Sequence, residues 1–552
     1  MKPSASSQRT SSRLWYILLG VWLVLFAANF MLHDSRGVGA SADSFKYLTP
    51  AVNLARGLGY TYLGNPELIQ PPGYGMRTLP LYLAGFELIQ AALIANVIVL
   101  ALACLFIYLI CRFYVSGVLA LVAILFVAMN AYIMDFATLA MSEVTFMATI
   151  SGAGYFVLRF IRQPTRDPLN LAVAGAFVGW AALTRAEGMG TALVLLGFLL
   201  LDLVLRQPPP RFQPRFAARL AFYAVVFAAP AIAIYSPYVV FLSKNLGHFA
   251  LTGKSEINFT VGDARVQPDH DILKEDLYVQ QALAQGIHST FEDGLRRLRT
   301  NLVRYARYSI EENKALLAAL GLVLAIGLWC TRFRRLPLEF RNDPDLPEAL
   351  GFCIVMLAPL IPMAYYLAEP RMFIPYNTFV IIGAVVLMDR IIAASSGMAA
   401  LPGQRAFALA IAAPLLFIGA YSNVAMSSTK RPEHHVQNAA VALATLTQSR
   451  PVNVMALRRA EVASYYANDR RVLVDAKFVR AAPDLSTDAV AETMRANGLQ
   501  YLVLDRRYIK TRPGVSSLWT CPPDACPRSL RLVAEVQGNY RIFELAPGQP
   551  KQ

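Results

Sequence analysis

The chain has 552 residues, of which 56% are hydrophobic and only 16% are charged. About a quarter of the residues of a soluble globular protein are charged, so this composition predicts a protein whose main solvent is lipid. The formal net charge of +15 indicates basic cytoplasmic loops, and the sequence has no nucleic-acid-binding motif to suggest another role for it.

The N-terminal segment predicts a signal anchor. Lys2, Arg9 and Arg13 precede an apolar run from about residue 14 to residue 32. Basic residues stay on the cytoplasmic side of a span, and no small-residue cleavage site follows the run. We therefore expect an uncleaved first span with the N-terminus in the cytoplasm, followed by a large outside loop at 34–77.

Apolar segments continue along most of the chain and predict ten further spans. The stretch 79–111 is longer than one straight span of ~20 residues, so we expect its first part, 79–90, to be a tilted or interfacial lead-in. The other nine segments are 117–132, 144–160, 171–183, 189–205, 220–242, 315–329, 349–367, 373–388 and 407–421. Every short loop that this order assigns to the cytoplasm is basic. Eleven spans place the C-terminus outside.

A second large outside loop is predicted at 243–313, and its end is rich in arginine. Loops beyond ~60 residues largely escape the positive-inside rule. Leucine and tyrosine recur there at helical spacing, at Leu295, Leu298, Leu302 and Tyr305. This pattern predicts either an interfacial amphipathic helix on anionic headgroups or a solvated helix packed on the C-terminal domain.

The hydrophobic pattern changes from about Pro451, where a small α/β domain outside the membrane is predicted. Residues 452–457, 501–504 and 541–544 are typical of strands, and 486–497 of a helix with Ser486 as N-cap and Gly498 just past its end. We divide the chain into a transmembrane module at 1–430 and a soluble α/β domain at 431–552.

The six cysteines fall into two groups. Four lie in or beside apolar segments, where a free cysteine behaves as a small hydrophobe: Cys104, Cys111, Cys330 and Cys353. The other two, Cys521 and Cys526, lie close together in the polar tail. Their spacing suits a disulfide if the tail faces an oxidising compartment. A zinc site is the weaker alternative, because it would need two more ligands.

The first outside loop contains a candidate functional helix. Asp43, Tyr47 and Leu54 are spaced by four and seven residues, so they can share one helical face. Such a helix could lie along the membrane surface with Asp43 at its N-terminal end. The alternative is that Asp43 serves only as the N-cap of this helix.

Several short motifs in this order resemble the GT-C superfamily of membrane glycosyltransferases. The resemblance is to the polyprenyl-phosphate-sugar enzymes, which include aminoarabinose transferases and protein O-mannosyltransferases. The matching elements are Asp43 after the first span with Tyr47 four residues on, the Pro-Pro-Gly-Tyr74 turn, Ser142-Glu143, Leu183-Thr184-Arg185 and Arg371-Met-Phe-Ile-Pro375. The order of short and long loops and the α/β tail also fit, so the likeness covers nearly the whole chain.

The resemblance implies an inverting transfer of a sugar from polyprenyl phosphate to a lipid, glycan or protein acceptor. Asp43 would be the base that takes the acceptor proton. Arg371 and Arg185 would hold the leaving phosphate, with Tyr47 and Tyr74 beside the donor. Glu143 and Asp135 would support the acceptor or donor side of the site. For the arginines, the alternatives are snorkelling to headgroups or structural pairing, for example of Arg185 with Glu187.

One departure from the resemblance affects the donor phosphate. Aminoarabinose transferases have a Lys-Pro in the first loop that reaches this phosphate, whereas this chain has Gln70-Pro71. Lys46 or Arg77 would have to replace that lysine. We expect no metal cofactor, because the loop has no Asp-x-Asp. Mg²⁺ or Mn²⁺ remains an alternative, because Asp34, Asp43 and Glu67 lie in this loop.

Two other functions are alternatives to the glycosyltransferase. A transporter or flippase of a lipid-linked sugar would have repeated halves and broken helices, and the sequence has no repeated halves. A polysaccharide polymerase or ligase with a lipid-diphosphate donor would need the same outside cations and base. In each case we expect a multi-pass protein of a bacterial-type inner membrane.

Overall fold

Most of the residues that the structure describes lie in helices, and several of these helices are long and apolar. The computed structural model describes residues 20, 23–35, 37, 39–206, 214–254, 291–331, 343, 345–394, 418–429, 432–447, 452–456, 460–468, 478–480, 486–506, 513–522, 526–536 and 539–546. Within these ranges, six helices are long and apolar enough to cross a membrane, or seven crossings if one bent helix pair is counted as a span. The chain is a multi-pass membrane protein, and the number of eleven spans stays a prediction.

The helices of the N-terminal half follow the predicted segments closely. They are α1 (Leu23–Asp34), α2 (Ala42–Ala55), α3 (Gly73–Leu83), α4 (Leu88–Cys111), α5 (Gly117–Met129), α6 (Ala131–Ala137), α7 (Glu143–Arg162), α8 (Pro168–Thr184), α9 (Gly188–Leu205) and α10 (Pro214–Leu246). A short hairpin of β1 (Thr61–Tyr62) and β2 (Asn65–Pro66) lies between α2 and α3. The 24 residues of α4 extend about 36 Å, enough to cross the hydrocarbon core.

The second half continues with further helices and ends in strands. The helices up to the tail are α11 (Phe291–Glu312), α12 (Lys314–Thr331), α13 (Asp345–Leu357), α14 (Leu360–Tyr366), α15 (Pro370–Ala394) and α16 (418–427). Several predicted features lie outside the described residues: the basic N-terminus, the loops at 207–213 and 332–342, most of the span at 407–421 and the side chain of Cys330. Cys104, Cys111 and Cys353 are buried free thiols.

The predicted span at 117–132 is a bent pair of helices. Helix α5 ends at Met129, and the axis of α6 is bent by 64° relative to that of α5. Asn130 caps α6 by accepting a hydrogen bond from the Ile133 amide. Asn29 and Asn423 donate to the carbonyls of Ala128 and Met129. Side-chain amides therefore satisfy the backbone groups that the break releases, as a break at membrane depth requires.

Small residues allow the central helices to pack closely. Helix α8 lies between α7 and α10. A Cβ atom at Gly175 would lie 2.0 Å from the carbonyl oxygen of Phe227. Glycine at this position therefore lets α8 touch the backbone of α10, in the way small residues bring membrane helices together.

The end of the chain forms a mixed five-stranded sheet with strand order β4-β3-β5-β7-β6. Its elements are α17 (Pro432–Leu446), β3 (Val454–Ala456), α18 (Ala460–Ala467), β4 (Phe478–Arg480), α19 (Thr487–Ala496), β5 (Tyr501–Asp505), α20 (Ser517–Thr520), β6 (Leu530–Val536) and β7 (Tyr540–Leu545). Strand β3 pairs in parallel with β4 and β5, whereas β7 pairs antiparallel with β5 and β6.

Local signals in the tail explain its helix α19. The Ser486 side chain accepts a hydrogen bond from the Ala489 amide at the helix start. Gly498 follows the helix end with a φ of +64°, a conformation that favours glycine. Cys521 and Cys526 form a disulfide. The domain boundary at 431 stays a prediction.

The tail packs directly on α2, the helix of the first outside loop. The rings of Phe45 and Tyr465 are 4.9 Å apart, and both residues are buried. Leu48 and Val52 of α2 belong to the same apolar cluster as Val462 of α18. The folded tail therefore supports the helix that bears Asp43.

Candidate functional site

Asp43 lies in the first turn of α2 and is not its N-cap. Ser41 occupies the N-cap position, and its amide donates a hydrogen bond of 2.9 Å to the Ser44 hydroxyl. The helix N-terminus favours a negative charge in its first turn. The alternative that Asp43 serves only as a cap is therefore wrong, since a serine pair already caps the helix.

Arg371 reaches Asp43 from the first turn of α15. Its Nη1 donates a hydrogen bond of 2.9 Å to Asp43 Oδ2, and its Nε bonds to Glu369. Lys46 Nζ lies 3.7 Å from Asp43 Oδ1. Burial opposes the charge of Asp43, but Arg371, Lys46 and Lys254 outweigh it and lower the pKa of Asp43 to about 2. The site thus holds an ionised carboxylate among cations.

Arg185 lies in a second, more deeply buried charge cluster. It is the extended residue that ends α8, with a φ of −151°. Its Nη1 donates a hydrogen bond of 2.9 Å to Glu143 Oε1, and its Nη2 donates one of 3.1 Å to Glu187 Oε1. A third hydrogen bond, of 3.3 Å, joins Nη1 to the Ser142 hydroxyl. The expected pairing with Glu187 is present, and Glu143 is a second partner. The protein's own carboxylates thus hold this guanidinium.

Tyr47 and Tyr74 lie between the two clusters. Their rings meet edge to face with centroids 5.5 Å apart, and both residues are buried. The Ser142 hydroxyl donates a hydrogen bond of 3.3 Å to the Tyr47 hydroxyl. Because Ser142 also contacts Arg185, Tyr47 links the helix of Asp43 to the cluster of Arg185.

The glycines of the Pro-Pro-Gly-Tyr-Gly turn explain why the two clusters are adjacent. A Cβ atom at Gly73 would lie 2.8 Å from the Leu183 carbonyl, and one at Gly75 would lie 2.3 Å from the Tyr47 carbonyl oxygen. Helix α3 therefore touches the backbone of both α8 and α2. The motif serves close packing, which any larger residue would prevent.

Lys254 is a site residue that sequence reasoning missed. Its Nζ lies 5.7 Å from the ring centroid of Tyr47, and its charge acts on Asp43, Glu67 and Glu187. The neighbouring Gly253 docks on the first loop, since a Cβ there would lie only 1.9 Å from the Leu68 carbonyl oxygen. The Gly-Lys pair in a long loop was the only signal in the sequence.

Other predicted residues lie elsewhere in the structure. The Arg77 guanidinium carbon lies 4.6 Å from the Tyr74 ring centroid, and its Nη2 donates a hydrogen bond of 2.7 Å to Asn96 Oδ1. The guanidinium therefore points towards α4. Asp135 faces His33 across 3.9 Å. Neither residue contacts Asp43 in the described structure.

Glu67 has a local role in the first loop. Its carboxylate accepts hydrogen bonds of 2.8 Å from the amides of Ile69 and Gln70. Burial raises the pKa of Glu67, and these two hydrogen bonds only partly oppose the shift. Within the described residues, no three His, Cys, Asp or Glu side chains group in a way that could hold a metal ion.

A cavity of about 340 Å³ opens beside the two charge clusters. Most of its wall is apolar, and Glu187 and Lys254 are its charged lining residues. The apolar wall comes from α9, from the α13–α14 junction and from the segment that leads into α15: Met189, Leu193, Pro359, Pro362, Met363, Leu367 and Met372. An amphiphile with an apolar chain and a polar head matches this lining.

Comparisons with known proteins identify the fold. Residues 71–238 match the family model described as dolichyl-phosphate-mannose-protein mannosyltransferase. The structure is similar to that of ArnT from Cupriavidus metallidurans bound to undecaprenyl phosphate, with a TM-score of 0.57 at 14% identity over 97% of this chain and 100% of that chain. No curated protein sequence matches the chain.

A second structural relative is the archaeal oligosaccharyltransferase AglB from Archaeoglobus fulgidus in complex with an inhibitory peptide and a dolichol-phosphate. Its TM-score is 0.50 at 13% identity, over 88% of this chain and 70% of that chain. Together with the family match, these likenesses confirm the resemblance to the GT-C superfamily at the level of the fold.

Proposed function

We propose that this chain is a glycosyltransferase that moves a sugar from a polyprenyl-phosphate donor to an acceptor at the outer face of the inner membrane. The observation that supports it most is the ionised Asp43, which Arg371 holds at the end of a span beside an amphiphilic cavity. A base and a cation that are adjacent at the outer end of a span suit transfer from a lipid phosphate. The likeness to ArnT bound to undecaprenyl phosphate supports the same donor class.

The cavity provides a place for the donor. Its apolar walls on α9, α14 and α15 would bind the prenyl chain, and Lys254 at its polar end would meet the phosphate. Arg371 and Lys46 each lie beside one carboxylate oxygen of Asp43. We assign the phosphate to Arg371, Lys254 and Lys46, and not to Arg77, whose head is held by Asn96.

The chemical step we propose is one inverting displacement. The acceptor hydroxyl oxygen attacks the anomeric carbon of the sugar, and the bond from that carbon to the phosphate oxygen breaks. Asp43 takes the proton of the hydroxyl, and polyprenyl phosphate leaves with the bonding electrons. The cations stabilise the negative charge that develops on the phosphate, so side chains supply the positive charge in this scheme. The absence of a metal cofactor stays a prediction.

Donor binding would also prepare the base. In the free protein, Asp43 shares Arg371 with Glu369. A bound phosphate would compete for the same guanidinium and weaken its hold on Asp43. The pKa of Asp43 would then rise from about 2 towards the range in which a carboxylate accepts a proton readily.

Arg185 would act mainly by positioning. Its ion pairs with Glu143 and Glu187 fix the wall behind Tyr47 and the edge of the cavity. The acceptor would approach from the side of the first loop. This scheme requires the first loop and the C-terminal sheet to lie outside, as we predict from the basic loops and the number of apolar segments in the sequence.

The direct test is sugar transfer by the purified full-length protein in proteoliposomes. A panel of polyprenyl monophosphate sugars is supplied, and release of polyprenyl phosphate is measured by mass spectrometry. We expect turnover with at least one monophosphate donor. Turnover only with lipid-diphosphate donors would favour the polymerase or ligase. Binding and transbilayer movement of the intact lipid-linked sugar, without cleavage, would favour the flippase.

A further inference from the structure

The orientation of helix α11 is fixed by three polar side chains on one face. Arg297, Asn301 and Tyr305 are spaced by four residues and buried. Arg297 Nε donates a hydrogen bond of 3.3 Å to the Tyr365 carbonyl, and Asn301 Nδ2 donates one of 2.9 Å to the Ala364 carbonyl. The Tyr305 hydroxyl donates a hydrogen bond of 3.0 Å to the Leu367 carbonyl. These side chains satisfy carbonyls at the C-terminal end of α14, which lack partners within their helix.

The outward face of α11 carries four exposed aliphatic side chains. Leu295, Leu302, Val303 and Ile310 are between 41% and 67% exposed, and their spacings of seven, eight and fifteen residues place them on one side of a helix. The sequence pattern grouped Leu295 and Leu302 with Tyr305, but in the structure the two leucines are exposed and Tyr305 is buried. Three polar side chains thus face the protein, whereas the outward face combines four aliphatic side chains with the exposed Arg299.

Two connections set the depth of α11 in the membrane. The carbonyls that it binds lie at or just beyond the end of the membrane-spanning segment Asp345–Tyr366. Its own last residue, Glu312, is followed after one residue by the apolar helix α12. Helix α11 also packs on α14 and α15. The helix therefore lies at the level where spans end, which is the headgroup region.

The central part of α11 carries only positive charges. Between Gly294 and Ile310 the sequence has five arginines and no acidic residue. Arg296, Arg299 and Arg307 are exposed, although Arg296 and Arg307 also pair with acidic residues at the helix ends. Arginine side chains extend from an apolar stripe to headgroup phosphates, and anionic headgroups complement this charge.

We propose that α11 is an interfacial helix bound to anionic phospholipids of the outer leaflet. Its stripe of Leu295, Leu302, Val303 and Ile310 lies against the acyl chains, and its exposed arginines contact lipid phosphates. Through its three inward hydrogen bonds, the membrane surface holds residues 364–367, directly before Arg371. The proposal does not depend on the sugar-transfer reaction.

Depth-dependent quenching tests the placement of the helix. A fluorophore is attached to Leu302→Cys in the full-length protein in nanodiscs, with Asp488→Cys on the exposed start of α19 as the matched control. Brominated lipids are expected to quench the label at 302, and aqueous iodide the label at 488. The parent protein gives the labelling background of the native cysteines. Iodide quenching at 302 equal to that at 488, without quenching by brominated lipid, would overturn the proposal.

Lipid charge tests the partner. The melting temperature is compared in nanodiscs of phosphatidylcholine alone and in nanodiscs that also contain phosphatidylglycerol. We expect the anionic lipid to raise the melting temperature of the parent protein and of Arg531→Gln, an exposed arginine on β6. The rise should be lost in the triple variant R296Q/R299Q/R307Q. An equal rise in the triple variant, or none in the parent, would show that the arginines do not bind these lipids.

Discussion

Arg371 donates a hydrogen bond of 2.9 Å to the carboxylate of Asp43, which precedes it by 328 positions in the chain. The bond joins the first turn of α15 to the first turn of α2, so two distant segments form one charged site. Each side chain is 33% exposed, which leaves the pair open to a ligand. An anionic donor that enters the site would compete with Asp43 for the Arg371 guanidinium.

The charge of Lys46 should control the acid limb of the pH profile. The pKa of Asp43 is lowered to about 2, below the ~3.9 of an unfolded Asp. The stabilisation from its ionised form is therefore complete above about pH 4 and is lost as the pH falls towards 2. Lys46→Met removes one of the cations that lower this pKa.

We expect the acid limb of kcat/KM for Lys46→Met to move to higher pH by up to about one unit, since this limb reports the free protein. Lys244→Met, an exposed lysine at the end of α10, is the control and should leave the limb in place. An unchanged limb in Lys46→Met would show that Asp43 does not set it.

Lys254 should contribute to binding of the donor phosphate. Among the described residues, Lys254 is the one cation that lines the cavity. We therefore expect Lys254→Gln to raise the Kd for polyprenyl phosphate about tenfold, equivalent to about 1.4 kcal/mol. Titration of the purified protein in detergent measures the change. Lys244→Gln is the matched lysine control.

A backbone variant tests the same loop without touching the charge. Gly253→Ala would place a Cβ 1.9 Å from the Leu68 carbonyl oxygen, so it should displace Lys254 and weaken binding in the same direction. Gly197→Ala on α9 has open space around its Cβ and should bind as the parent does. Parental affinity in both Lys254→Gln and Gly253→Ala would remove Lys254 from the phosphate site.

Arg185 should matter for stability as well as for activity. Arg185→Met leaves the buried Glu143 and the largely buried Glu187 without their cation. Breaking a buried ion pair on one side costs about 3–5 kcal/mol, so we expect a marked fall in the melting temperature. Arg531→Met, whose ion pair is largely exposed, should change stability by less than about 1 kcal/mol.

The double variant distinguishes pairing from mere loss of packing. If Glu143 and Arg185 act as a pair, Glu143→Gln combined with Arg185→Met should cost less than the sum of the two single changes. Strict additivity would mean that the ion pair contributes nothing of its own.

The contact between the tail and α2 should stabilise both parts. Tyr465→Ala removes a buried ring that packs 4.9 Å from the Phe45 ring. Loss of a large buried aromatic side chain costs about 3–5 kcal/mol, and sugar transfer should fall too, because Phe45 lies two residues from Asp43. Tyr421→Ala, an exposed tyrosine, is the control. A melting temperature equal to that of the control would contradict the packing argument.

The sequence indicated the apolar helices and the candidate residues Asp43 and Arg371 for different reasons. A long run such as α4 has no stable alternative to a spanning helix in lipid. That Asp43 and Arg371 belong to one site was implied by the order of motifs shared with a known superfamily, whereas their direct ion pair was not predicted.

Lys254 and the inward face of α11 could not be predicted in this way. The position of Lys254 depends on a close backbone contact between Gly253 and Leu68. This contact joins two loops, and it leaves no periodic pattern in the sequence. The sequence pattern of α11 left open which side of the helix meets the protein, and the carbonyls at the end of α14 select the side that bears Arg297 and Asn301. Tertiary hydrogen bonding overrode the local hydrophobic pattern.

The most direct test of the central claim compares two aspartates of the first outside segment. Asp43→Asn and Asp34→Asn are assayed for sugar transfer in proteoliposomes, with melting temperature and polyprenyl-phosphate affinity measured on the same samples. We expect Asp43→Asn to lose at least ~10²-fold in kcat while it stays folded and binds the lipid, and Asp34→Asn, which is exposed, to transfer as the parent does. Transfer by folded Asp43→Asn at the parental rate would contradict its role as the base.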